Sequence, residues 1–201
     1  MACAASLVLT LAACGSESSA SPTDTTSPTT PTAEYFPPPI AETPAAAGSG
    51  CPATAPEQSA APEWTLPGAS GSVAVTGSTD TTAPVIDVTA PFSVGETQVH
   101  TLQAGDGPVV ADTATVAVCY MGVNGRDGSV FDSSYQGGPP VEFPLDGVVP
   151  GFQKAIAGQT VGSTVGVAMT SADGYPEGQP GAGIAPGDTL VFAIKILDAT
   201  S

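Results

Sequence analysis

The chain has 201 residues, enough for one domain with appendages, and its 24 glycines and 21 prolines are spread unevenly along it. Nineteen acidic residues stand against three basic ones, Arg126, Lys154 and Lys195, for a net charge of −16. Such a surface repels phosphate backbones and carries no polybasic patch, which excludes nucleic acid and charge-driven membrane contact; no carboxylate run has the D-x-[DN]-x-[DN]-G spacing of a calcium loop, so no metal is expected.

The chain opens on an uncharged apolar run, MACAASLVLTLAACGSES, too short to span a bilayer. Its end, Leu11-Ala12-Ala13-Cys14-Gly15, resembles the bacterial lipobox, in which the peptide is cut before the cysteine and the thiol carries a diacylglyceryl group. No Lys or Arg precedes the run, a departure that leaves the true start of translation open. The resemblance implies a signal peptide over residues 1–13, lipidation of Cys14, and an extracytoplasmic protein held to the bacterial cell membrane by its lipid anchor alone. Residues 14–72 are mostly Ser, Thr, Pro and Ala with scattered acids, too poor in large apolar residues for a core, and are expected to form a disordered tether. About fifty such residues wander roughly 40 Å from their anchor.

Of the four cysteines, Cys3 leaves with the signal and Cys14 takes lipid, leaving Cys51 in the tether and Cys119 in a strand. In an oxidising compartment these two can pair and pin the tether to the domain, or stay apart; the sequence leaves both open. The one histidine, His100, lies in a strand-like stretch with no serine or cysteine elbow to serve, which argues against a hydrolase triad.

Large apolar residues at strand-like spacing begin at Val73. Residues 73–96 resemble the lead-in segment of bacterial surface-anchored proteins, a likeness that implies an extra strand packed along the domain. Within 97–201, TQVHTLQ (97–103) and TATVAVCYM (113–121) alternate, the second placing Val116, Val118 and Tyr120 on one face. VEFPL (141–145) is a short strand, and GVVPGFQKAIAG brings Phe152, Ala155 and Ile156 to helical spacing between a Pro-Gly start and a glycine stop. STVGVAMT (163–170) and TLVFAIKILD (189–198) are strands joined by the loop SADGYPEGQPGAGIAPGD. Many strands, one helix and no βαβ rhythm predict an α+β domain, an antiparallel twisted sheet wrapped on one short α-helix. In GSVFDSSY (128–135), alternation alone would send Phe131 inward and Asp132 to water.

The order GDG, VCYMG, DGSVFDSS, PPVEFPL, GVVPGF, YPEG, GIAP and TLVFAI, over residues 97–197, resembles the FKBP family of peptidyl-prolyl cis-trans isomerases. The resemblance implies a pocket built from Tyr120, Phe131, Asp132, Val141, Val148, Val149, Phe152, Tyr175, Ile184 and Phe192. Tyr120, Phe131, Asp132 and Tyr175 would act on the amide, and the other six would hold the peptide. Phe152 stands where the family most often has a Trp floor, which loses an indole N–H, and Val141 where an aromatic wall is common, which makes one side shallower. It implies as partners proline-containing segments of exported proteins and FK506-like macrolides, with no cofactor, and a monomer. The alternative is a non-catalytic module that holds a Pro-containing partner in the same groove.

The chemistry fits such a pocket. Resonance holds an X-Pro amide planar behind a barrier of about 18–20 kcal/mol. The planar amide is more polar than the twisted one, so an aromatic cavity costs the ground state more than the transition state. Five decades of acceleration amount to about 7 kcal/mol, and no nucleophile, metal or base is required. In that setting Asp132 is expected at the pocket rim, held by the Tyr120 hydroxyl, as an electrostatic fixture.

Overall fold

The computed structural model describes residues 50–56 and 61–200. Residues 1–13, Cys14 and most of the expected tether lie outside them. Among the described residues are nine strands in two antiparallel sheets and a single α-helix.

The smaller sheet has three strands, β1 (Trp64–Pro67), β2 (Ser70–Thr76) and β3 (Val85–Ser93), in that order. The larger has β4 (Gln98–Gln103), β8 (Thr164–Met169), β9 (Leu190–Thr200), β5 (Thr115–Asn124) and β6 (Val130–Ser133) in spatial order, with β7 (Val141–Pro144) pairing β5 beside β6. The helix α1 (Pro150–Ile156) starts on a proline, whose missing N–H needs no partner at the first turn, and buries Phe152, Ala155 and Ile156 at the expected spacing.

Two differences from the sequence expectation follow from packing. Strand structure begins at Trp64, not Val73, and the segment before residue 97 forms a sheet of its own in place of one extra strand. The second difference is what that sheet does. Alternation on β9 and β8 sends Phe192, Ile194 and Val167 to the helix side, where they join Val116, Val118, Phe152 and Ile156 in the main core. It sends Val191, Ala193 and Ala168 to the opposite side, where they meet Val73, Val75 and Phe92 of the small sheet. The central strand is thus buried on both faces, which explains why TLVFAIKIL reads as a nearly unbroken apolar run.

Trp64 fastens the small sheet at its edge. Its ring lies against Gly166 of β8, where an added Cβ would come within 2.8 Å of it, and stacks on His100 of β4 at 5.6 Å between centroids. His100 is therefore a packing partner. Cys51 and Cys119 form a disulfide, and Cys51 is 1% exposed, so the chain is already fixed to the domain at a point expected to be tether.

Candidate functional site

The ten residues expected in the pocket gather in one place on the helix side of the large sheet. Phe152, Ile184 and Phe192 are buried in the main core, and Tyr120, Phe131, Val141, Val148, Val149 and Tyr175 are half-buried against it. Asp132 is joined to them through Tyr120.

The rings meet edge to face. Phe152 and Phe192 are 4.7 Å apart at 82°, Phe131 and Phe192 5.4 Å apart at 90°, and Tyr120 stands over Phe152 at 5.8 Å and 87°. This geometry sets the positive edge of one ring on the negative face of the next. Phe192 (3% exposed) and Ile184 (2%) offer almost no surface, so they back the site, and its open surface comes from the half-buried group.

Phe131 and Asp132 both serve this face because β6 does not alternate simply. Gly122 pairs with Asp132 and Val123 with Val130, which leaves Phe131 as an extra residue in a bulge. A bulge re-aims side chains. Phe131 packs on Phe192 while the next residue, Asp132, accepts the Tyr120 hydroxyl at 2.5 Å. The expectation from strict alternation, an acid in water opposite its neighbour, does not hold.

Tyr120 is held at both ends. Its backbone N–H donates to Ser134 Oγ at 2.9 Å and its carbonyl accepts the Ser134 N–H at 3.0 Å. Burial, then the hydrogen bond and negative charge of Asp132, keep its hydroxyl well above the ordinary phenol range. Tyr120 is thus a neutral donor engaged with a carboxylate, set beside apolar rings.

Sequence reasoning missed Gly122. A Cβ there would come within 2.6 Å of the Phe192 ring and 2.7 Å of Phe131, so only glycine lets the two rings meet across β5. The VCYMG motif contained the signal, but only the register shows which rings need the space. An open cleft of about 400 Å³ lies elsewhere, between Leu66–Ala69 and Val94–Gln98, and includes none of the expected residues. Among the described residues no cluster of His, Cys, Asp or Glu could hold a metal ion.

Residues 107–197 match the family model of the FKBP-type peptidyl-prolyl cis-trans isomerases. Over 101 residues the chain is 40% identical to the FKBP-type 22 kDa peptidyl-prolyl cis-trans isomerase of Escherichia coli, covering 50% of this chain and 48% of that one. It is 31% identical over 117 residues to an FK506-binding protein of Streptomyces anulatus, covering 57% of this chain and 94% of the relative. The fold is also similar to the N-terminal domain of FKBP42 from Arabidopsis thaliana, at 15% identity and a TM-score of 0.50, over 53% of this chain and 88% of that one. The chain thus spans about half the length of its Escherichia coli relative and nearly all of the Streptomyces one. With the motif order and the ring cluster in the same stretch, the chain belongs to the FKBP-type peptidyl-prolyl cis-trans isomerase family.

Proposed function

We propose that this protein catalyses cis-trans isomerisation of X-Pro bonds on the ring cluster described above. The observation that carries the reading is the Tyr120–Asp132 pair set at the edge of an apolar aromatic floor. The proline ring rests on Phe152 between Tyr120 and Phe131, with Phe192 behind. Val141 and Val148 bound the peptide with Ile184 packed behind them, and the Val149 backbone N–H and the Tyr175 hydroxyl face its carbonyls. Losing water destabilises the planar amide more than the twisted one, and the Asp132 charge polarises the site where the carbonyl turns. The substrates are segments of exported or surface proteins, reached from a lipid anchor on Cys14.

The test is NMR exchange on short X-Pro peptides with the full chain, with and without FK506. Acceleration that the macrolide abolishes supports the reading, and Phe131→Ala or Asp132→Val should then lower turnover about tenfold or more in a folded protein. Binding without acceleration would instead favour a Pro-peptide-holding module. For the anchor, Cys14→Ser expressed in a bacterium should move the protein from the membrane fraction to the soluble one.

A further inference from the structure

The loop between β8 and β9 carries Tyr175 and Ile184, and an ion pair holds each of its feet. At the first foot Asp173 receives Lys154 Nζ on both oxygens, at 2.8 and 2.7 Å, and the Thr97 hydroxyl at 2.5 Å. At the second foot the buried carboxylate of Asp188 receives Asn124 Nδ2 at 2.8 Å, the Ala185 N–H at 2.8 Å and Arg126 Nε at 3.2 Å. Arg126 reaches one step further. Its terminal Nη2 donates at 2.9 Å to the carbonyl of Gly183, the residue before Ile184, while its Nη1 meets Asp127 at 3.1 Å on the surface.

A chain with three basic residues among nineteen acids thus commits two of them to one loop. The feet differ in kind. Lys154, 55% exposed, offers a point charge to a partly exposed carboxylate, whereas Arg126 offers a planar fork to one that is 7% exposed. A buried carboxylate is costly to leave unpaired. Asn124 ties the second foot back to β5, since its Oδ1 accepts the Arg126 backbone N–H at 2.9 Å while its amide donates to Asp188.

We infer that Arg126 is a positioning residue for peptide binding: by joining the Asp188 carboxylate to the Gly183 carbonyl it fixes residues 183–188 so that Ile184 closes against the ring cluster. The inference rests on the isomerase reading above, and Arg126 acts through the loop and not on the amide. It should therefore weigh on KM and spare kcat.

The experiment compares Arg126→Met, Arg126→Lys and Lys195→Met in the full chain, by peptide isomerisation kinetics and by amide hydrogen exchange. Arg126→Met should raise KM about three- to tenfold with kcat within about twofold of the parent. Arg126→Lys should recover only part, because an ammonium cannot bridge both acceptors. Lys195→Met removes the same unit of charge from β9 without touching the loop and should keep the parental KM. Salt at about 0.5 M should raise the parental KM toward that of Arg126→Met and leave the variant unmoved. The amides of Gln179 and Ile184, which pair across the loop at 2.8 and 3.1 Å, should exchange fastest in Arg126→Met, less so in Arg126→Lys, and at the parental rate in Lys195→Met. A folded Arg126→Met with parental KM and exchange overturns the inference, and so does an equal effect from Lys195→Met. If Arg126→Met fails to fold, an unchanged KM in both Arg126→Lys and high salt overturns it. A parent without isomerase activity overturns the isomerase reading only, and exchange then judges the clamp.

Discussion

The two faces of the large sheet are built from different materials. Toward the small sheet, Ala168, Val191 and Ala193 present a low relief on which Val73, Val75 and Phe92 lie flush. Toward the helix, Phe131 and Phe152 each stand nearly at right angles to Phe192, at 90° and 82°. A second sheet can cover a flat aliphatic face, but rings packed edge to face leave edges no flat layer seals, and Tyr120 and Phe131 remain half-buried. The covered face is closed by the chain itself, whereas the ring face keeps half-buried aromatic surface.

Four substitutions or conditions sharpen or break that division. Phe92→Ala, on the covered face, should cost about 3–5 kcal/mol in denaturant unfolding yet leave turnover per folded molecule unchanged. A drop in turnover of the folded fraction would show that the two faces are coupled. Cys51→Ser opens a covalent loop with a sequence separation of 68 and should cost about 2–4 kcal/mol, again at constant turnover. Adding reductant to the parent should reproduce the loss.

Alkali probes both faces through their tyrosines. Tyr135, beside the disulfide, donates to Ser78 at 2.7 Å, and burial pushes its hydroxyl up to about 12. A raised folded-state value means that the unfolded chain loses its proton first, so this contribution is whole below pH 10 and is lost as pH climbs toward 12. The loss is on the order of 2–3 kcal/mol, read as a falling unfolding midpoint. Tyr120, held higher still by burial and then by the Asp132 carboxylate, should add no phenolate absorbance until the fold itself is lost. The smallest effect on stability belongs to Gly122→Ala, about 1–3 kcal/mol of overpacking, but here turnover should fall further than stability because the Phe131 and Phe192 rings are forced apart. Turnover that merely tracks stability would remove the special standing of the ring face.

The large sheet was legible because its strands satisfy local rules. The stretch 113–121 alternates and became β5, and PGFQKAI has a proline start and helical spacing and became α1. The small sheet was legible only in part. Trp64-Thr65-Leu66-Pro67 is short, lies between prolines, and buries only alternate residues partway, so composition reads it as tether. What makes it a strand is tertiary: pairing with Val73 and Val75 on β2, and the seat of Trp64 on Gly166 and His100. The residues of the ring cluster stood in recognisable motifs, but the Phe131 bulge and the need for Gly122 depend on register between distant strands, which no local pattern encodes.

The disulfide also decides how the molecule would carry mechanical load. Residues 52–118 lie inside the loop closed by Cys51 and Cys119, so the small sheet and β4 are all spanned by one covalent shortcut. Tension on the chain ahead of Cys51 would pass through the sulfur bridge straight into β5, which is hydrogen-bonded to β9 along one side and to β6 and β7 along the other. The three-stranded sheet, lying inside the covalent loop, bears none of that force. A pull on that segment would thus arrive one residue from Tyr120, on a strand paired with three others.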